Sequence, residues 1–532
     1  MGRPHHKDLR RPEQGCFPSG HSDNIAVNAT WPLGRTLLRR MPFLITSLYV
    51  SAALLGASFA YVELRLVARF LRNRAAIREA VRSHRRVPVG ANGSEAPPTL
   101  TAQLPLYNER FSAEQVIRAL AAQEYPRDRF DIQILDDSTD DTSDIVARVV
   151  SELQTQGVRV EHIRRGHREG YKAGALAEGL RHSSAEYVAV FDADFTPSPD
   201  FLWRVVVEED AFHDPSVAFV QTRWAWNRPV RGLFSSALAL LLDRHFLIQK
   251  PTRVFAGHVT TFNGSGGIWR RAAVDDAGGW SADTLTEDLD LSYRCALKGW
   301  RGHYIQDVSV LNELPGHMRS FKLQQRRWAR GNAQCFRKLT RKVLASGAAL
   351  RDPIEETFLL AGYAIHPILL ANMVLWPFAV LYVDRVFFWV MQGFMSLATL
   401  ATPLSLLVTL RERGERWNMN SVGQVLAGMC VGIGLMVNNT VAQVQGFFLS
   451  RGEFVRTPKG TRHAPGPGMI AASPYRSPLH WTFFLELLVL AYCLWGSAIL
   501  ITRGEALWAF PLLFWGMCVA LVVRLQLSAQ PT

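Results

Sequence analysis

The hydrophobic pattern changes character twice along the chain. Uncharged, predominantly apolar stretches run over 41–62, 357–383, 386–410, 421–450, 487–502 and 506–523, and none falls between 63 and 356. Most are long enough to cross a bilayer core as helices. The first follows forty polar, basic residues and has no small-residue cleavage site after it, so it reads as a signal anchor rather than a cleaved signal peptide. Inside the long polar segment the apolar runs shorten. TLTAQLPL (99–106), FDIQIL (130–135), VRVEHI (158–163), YVAVF (187–191) and VAFVQ (217–221) alternate with helical stretches such as 112–123 and 172–182. That alternation predicts an α/β domain with a mostly parallel sheet, helices on both of its faces, and ligands at the carboxyl ends of the strands.

These patterns divide the chain. A basic N-terminus, 1–40, is expected to be disordered; a membrane helix, 41–62, precedes a basic juxtamembrane segment and Pro/Gly/Ser linker, 63–98. The folded domain occupies 99–356, inserted between membrane helices: a hairpin over 357–410 and another over 477–523, before a short tail, 524–532. Loop charge decides the remaining segment. Were 421–450 a full span, the loop 451–476 with Arg451, Arg456, Lys459, Arg462 and Arg476 would lie outside, against the positive-inside rule. The segment also carries Gln424, Asn438, Asn439, Gln443 and Gln445, which are costly on a lipid-facing helix. It is therefore expected to lie at the interface or to re-enter, leaving five spans and a cytoplasmic 451–476.

Composition supports the same division: 48% hydrophobic and 20% charged residues in 532, with a formal net charge of +13. Arginines crowd after the first span at positions 65, 69, 72, 74, 78, 82, 85 and 86, which puts the folded domain on the cytoplasmic side, at a plasma or inner membrane if the chain is bacterial. They lack interleaved aromatics, so membrane lipids are the expected partner and nucleic acid is not. The six cysteines show no paired metal-type spacing and read as free thiols.

Acidic clusters fall at the predicted strand ends: Tyr107-Asn108-Glu109, Asp136-Asp137-Ser138 and Asp192-Ala193-Asp194. Two carboxylates two residues apart suit a hard divalent ion that also touches phosphate oxygens. Alone, such pairs are as readily helix caps or loop acids. Lys172, in GYKAGAL (170–176), starts a helix in a position suited to phosphate.

Taken in order with LTEDLDLSYRCALKGW (285–300) and QQRRWARGN (324–332), the motifs PLYNE, DDS, KAGAL, DAD, TED and QxxRW resemble the signature of processive family 2 glycosyltransferases of the cellulose synthase superfamily. The likeness covers about 99–340, and YKAGAL, FDADF, FLWR, GIWR, AGGW and LKGW are most similar to its cellulose-synthase-like A branch, the mannan and glucomannan synthases. The resemblance implies a GT-A type nucleotide-sugar-binding fold. It implies that Tyr107 stacks on the nucleobase and that Glu109, Asp136, Asp137 and Lys172 belong to the donor site. Asp192 and Asp194 would hold the diphosphate through Mg2+ or Mn2+, with Arg327 on a diphosphate oxygen. Asp288 would be the general base; Glu287 either tunes that carboxylate or is a helix-start acid. Gln324 and Trp328 would join Asn263, Gly264 and Ser265 in binding the acceptor, Asn263 being a departure from the FFCG pattern of cellulose synthases. Phe454, Thr457 and Lys459 resemble the FxVTxK gating loop, with Arg456 in place of the usual Val.

The resulting expectation is an inverting transfer of hexose from a nucleotide-sugar donor, GDP-mannose or UDP-glucose, to a growing β-linked polysaccharide, coupled to its translocation and with room for accessory export subunits. A non-processive enzyme acting on a lipid acceptor to make a glycolipid would use the same motifs. No residue discriminates guanine from uracil. Trp224 and Trp226 either line the acceptor path or belong to the core, and His366 and Glu486 either face a glycan channel or make hydrogen-bonded helix contacts.

Overall fold

In the computed structural model, residues 32–82, 96–226, 230, 232–347, 350–449 and 479–528 are described. The chain divides into two units, Met1–Leu44 and Ile45–Thr532. Of the first, only the opening turns of helix α1 (Pro32–Arg72) are described.

The second unit contains the sheet. Its strands are β1 (Leu100–Leu106), β2 (Phe130–Asp136), β3 (Val160–Arg164), β4 (Tyr187–Val190), β5 (Phe195–Thr196), β6 (Val217–Ala225), β7 (Gly267–Arg270) and β8 (Arg301–Asn312). Their order is β3-β2-β1-β4-β7-β6-β8-β5. β3, β2, β1 and β4 run parallel, as does β8 beside β6, whereas β7 runs antiparallel between β4 and β6, and β5 antiparallel to β8. The five apolar runs of the sequence are the first four strands and β6. β5, β7 and β8 are additions that the pattern did not announce: two are very short, and β8 (RGHYIQDVSVLN) mixes polar residues into both faces and acquires its partner only by pairing with β6.

Helices α2 (Ala113–Ala121), α3 (Thr142–Thr155) and α4 (Tyr171–Arg181) are the crossovers of the parallel half. One polar pair in the sheet shows how tightly α4 is packed. Gln103 on β1 donates to Gln133 on β2 at 2.9 Å, and a Cβ at Gly179 of α4 would fall 2.4 Å from Gln103 Nε2. Only glycine lets the helix lie over that buried amide pair.

After β7 come α5 (Glu287–Leu297), the 27-residue α6 (Met318–Leu344) and α7 (Pro353–Leu360). The apolar helices are α1, α8 (Ile365–Tyr382), α9 (Arg385–Glu412), α10 (Met419–Gly434), α11 (Met436–Phe448), α12 (Thr482–Thr502) and α13 (Ala509–Leu527). Five segments are long and apolar enough to cross a membrane: Pro42–Arg72, Gly362–Tyr382, Arg385–Glu412, Thr482–Thr502 and Ala506–Leu527. Asp384, at the turn of the first hairpin, caps α9 by accepting from Val386 N at 3.0 Å. α10 and α11 are bent by 42° and count as a sixth span only if taken as one.

Three polar residues of that bent pair bond to α6. Asn438 donates to the Lys322 carbonyl at 3.2 Å, Gln443 to the Ala329 carbonyl at 2.6 Å, and Gln445 accepts from Arg326 at 2.7 Å. Asn439 meets His366 at 3.0 Å, and buried Glu486 pairs with Lys322 and accepts from Gln526 at 2.7 Å. His366 and Glu486 thus make hydrogen-bonded helix contacts.

The juxtamembrane arginines also find partners inside the protein. Arg65 pairs with Glu355 at 3.1 Å, Arg69 with the same carboxylate at 3.9 Å, and Arg74 and Arg78 both with Glu412 at 2.5 Å. These four were expected against lipid headgroups. The acidic start of α7 and the acidic end of α9 engage them, and Arg72 and Arg82 are exposed.

Candidate active site

At the carboxyl ends of β1, β2 and β4 a cleft opens toward α5 and α6. Its lining includes Tyr107, Glu109, Asp137, Lys172, Asp192, Asp194, Asn263, Gly264, Glu287, Asp288, Gln324, Arg327 and Trp328, residues far apart in sequence. The register explains part of this convergence: Leu106 pairs with Asp136, so the chain leaves β1 and β2 side by side and delivers Tyr107 and Asp137 together.

Beside Tyr107, Asp137 is gripped by the fork of Arg165, with Nε 2.9 Å from Oδ1 and Nη2 on Oδ2. Arg165 also donates to the Glu169 and Tyr171 carbonyls, so it shapes the turn before α4 as well. The guanidinium of Arg168 lies 3.4 Å from the centre of the Tyr107 ring. Neither arginine was legible as a site residue; their spacing before KAGAL was the available signal.

Two expected residues lie behind the cleft rather than in it. Asp136 is buried, accepting from Ser138 N at 2.8 Å, Ser143 Oγ at 2.7 Å and His162 Nε2 at 2.9 Å. Burial opposes its charge, but the bonds from His162, Ser138 and Ser143 more than offset that and hold the carboxyl below the usual carboxylate range. Ser265 is fully buried and its Oγ accepts from Asp192 N at 2.9 Å. Asp136 builds the loop that carries Asp137, and Ser265 holds the amide of Asp192. Phe454, Thr457 and Lys459 lie outside the described residues.

Lys172 joins the two acidic motifs. Its ammonium is 2.5 Å from Asp192, 2.7 Å from the Gly264 carbonyl and 3.7 Å from Glu287. Burial disfavours that charge, but Asp192 and Glu287 outweigh it and leave the ammonium harder to deprotonate than usual. Asp288 has the opposite fate. Burial first, then the neighbouring Glu287, push its carboxyl up to about 7 despite Lys172. A carboxylate with that affinity accepts a proton readily near neutral pH, as a general base must.

Gln324, Arg327 and Trp328 follow i, i+3, i+4 spacing on α6 and so share the face toward the cleft. One turn on, a Cβ at Gly331 would fall 2.6–2.8 Å from Thr286, and Gln334 accepts from Leu285 N at 2.9 Å. The platform helix is therefore seated directly on the turn that carries Asp288. Trp224 is largely core: its indole donates to the Ser265 carbonyl at 3.0 Å, although its ring reaches the cleft.

Asp192 and Asp194 both line the cleft and supply oxygen ligands only. Among the described residues no group of three or more His, Cys, Asp or Glu forms a metal cage. Two carboxylates without a cage fit Mg2+ or Mn2+, of the kind that completes its shell with substrate phosphates and water.

Fold and cleft together define a GT-A-like α/β domain flanked by helices apolar enough for a membrane. Residues 187–412 match the family model described as Glycosyl transferase family group 2. It is 40% identical over 258 residues to glucomannan 4-beta-mannosyltransferase 9 of Arabidopsis thaliana, covering 48% of each chain. It is 40% identical over 256 residues to glucomannan 4-beta-mannosyltransferase 1 of Oryza sativa subsp. japonica, covering 47% of this chain and 49% of that one. The chain thus spans about half the length of the curated relatives it matches. Among solved structures, the mannosyltransferase PcManGT from Pyrobaculum calidifontis in complex with GDP-Man and Mn2+ aligns with a TM-score of 0.42 at 20% identity, over 74% of this chain and all of that one.

Proposed function

We propose that the protein is a membrane-embedded inverting hexosyltransferase that extends a β-linked polysaccharide from a nucleotide-sugar donor. The observation that carries this is the cleft itself. A base carboxylate with raised proton affinity, an acidic pair and an aromatic platform with its arginine all face one space. In this reading Asp288 removes the proton from the acceptor hydroxyl as that oxygen attacks the donor's anomeric carbon. The leaving diphosphate departs toward Arg327. Trp328 and Gln324 hold the acceptor's terminal sugar in line, and Tyr107 with Asp137 holds the nucleoside. A divalent ion bound by Asp192 and Asp194 would supply Lewis-acid stabilisation of the diphosphate. The similarity to glucomannan mannosyltransferases favours GDP-mannose as donor and a 1,4 linkage.

The positive-inside argument puts the catalytic domain on the cytoplasmic side, with α10 and α11 at the interface or re-entrant and 451–476 as a gating loop. In support, α6 carries the acceptor platform and lies against α11, so a glycan leaving Trp328 would meet the membrane helices at once. The test is nucleotide release by detergent-purified protein given GDP-mannose or UDP-glucose with manganese, beside Asp288→Asn. Release from one donor, lost in the variant, is expected; release unaffected by the variant would remove Asp288 from the mechanism, and no release from either donor would overturn the reading.

A further inference from the structure

Lys172 stands where a helix disfavours a cation. It is the second residue of α4, at the positive end of the helix dipole. The entry to that helix is also strained. Gly170 and Tyr171 both take left-handed conformations, with φ of 70° and 50°, and the second is uncommon for a residue with a side chain. Arg165 holds this turn by donating to the Glu169 carbonyl at 2.9 Å and to the Tyr171 carbonyl at 3.1 Å. The strained turn delivers the lysine side chain, only 12% exposed, into the cleft.

There the ammonium makes three contacts: 2.5 Å to Asp192 Oδ1, 2.7 Å to the Gly264 carbonyl and 3.7 Å to Glu287 Oε1. Asp192 is fixed to receive it, because its amide donates to Ser265 Oγ at 2.9 Å. One oxygen of a carboxylate proposed to hold a divalent ion therefore already carries a positive charge of the protein's own. A doubly charged ion on the same carboxylate would stand within a few ångströms of that ammonium, too close for salt to screen the repulsion. Asp192 can serve only one of the two cations at full strength. A diphosphate changes the balance, since it offers Lys172 and the first N–H groups of α4 the anion that both favour.

We propose that Lys172 is a built-in counter-ion whose ammonium holds Asp192 and keeps a divalent cation off that carboxylate until a diphosphate takes the ammonium over. The inference rests on the glycosyl-transfer reading of the cleft. It makes metal and nucleotide bind as mutually dependent partners: each relieves the charge that opposes the other, and the coupling is the same from either side.

The test is Mn2+ binding by the full chain in detergent, read by electron paramagnetic resonance without turnover. In the absence of nucleotide, Lys172→Met should bind Mn2+ about ten- to a hundredfold more tightly than wild type, and Lys172→Arg, which keeps the charge, should stay close to wild type. Adding Asp192→Asn to Lys172→Met should abolish the gain, which assigns the ion to Asp192. The wild type gives a second reading that holds even if the methionine variant folds poorly. Saturating GDP or UDP should raise its Mn2+ affinity about tenfold or more, after subtraction of the Mn2+ that the nucleotide takes up in a protein-free titration. Lys172→Met should show a smaller enhancement. Equal Mn2+ affinity in Lys172→Met and wild type would overturn the proposal, as would a wild-type affinity that neither nucleotide changes. A gain in Lys172→Met beside a wild type that releases nucleotide from neither sugar donor would overturn the transfer reading and leave the counter-ion standing.

Discussion

Two charged regions of this molecule are built on opposite principles. Where α6 meets the apolar helices, buried Lys322 has a counter-charge: it sits on Glu486 with Gln526 and Asn438 around them. In the cleft, Asp192 and Glu287 share the ammonium of Lys172, and burial, then Glu287, pushes Asp288 toward neutrality despite that ammonium. The first arrangement holds helices in register. The second costs stability, and a buried carboxylate that welcomes a proton beside further acidic groups is what marks a functional site. Gly331 and Gln334 join the two regions: they seat α6 on the Thr286 turn, so the paired region fixes the distance from Trp328 to Asp288.

That contrast can be broken from either side. The largest effect should come from Asp288→Asn, which removes the base and is expected to lower transfer about 10²- to 10⁴-fold with little change in melting temperature, read by nucleotide release and thermal unfolding. In the paired region the sign reverses. Glu486→Leu strands Lys322 without its counter-charge and should cost about 3–5 kcal/mol. A second change, Lys322→Met, should restore most of the unfolding temperature; no recovery in the double variant would show that the pair is not a unit. A smaller effect sharpens the cleft side. Wild-type transfer should rise with pH through about 7, as Asp288 loses its proton. Glu287→Gln removes a neighbouring negative charge, lowers the proton affinity of Asp288, and should move that rise to lower pH. An unmoved profile would assign the titration to another group. The smallest effect belongs to the half-exposed arginines on Glu412: Glu412→Gln should cost at most about 1 kcal/mol in unfolding and leave nucleotide release unchanged.

Much of the site was legible because its residues stand at strand ends or share a helix face. Tyr107, Asp137 and Asp192 follow apolar runs that could only be buried strands, and Gln324, Arg327 and Trp328 follow helical spacing. Adjacency in sequence does not say which of two neighbours lines the cleft: Asp137 and Gly264 do, Asp136 and Ser265 are buried behind them. Asp136 points back to His162, and Ser265 points to the amide of Asp192. The membrane-proximal arginines were read as a charge run, and a run does not reveal that Glu355 and Glu412, more than 280 residues away, lie at the same level.

Local pattern determined what is local. Apolar runs gave the parallel strands β1 to β4, long apolar stretches gave the candidate spans, and motif order gave the chemistry, since each needs only neighbours in the chain. Only the tertiary structure decided which charges are paired, that β7 runs against its neighbours, and that Arg165 grips Asp137 while Arg168 lies over the ring of Tyr107. The reason is the range of the forces. Hydrophobic burial acts on a residue wherever it sits, so its period survives in the sequence. A hydrogen bond or a shifted proton affinity depends on atoms a few ångströms apart, and those neighbours exist only once the chain has folded.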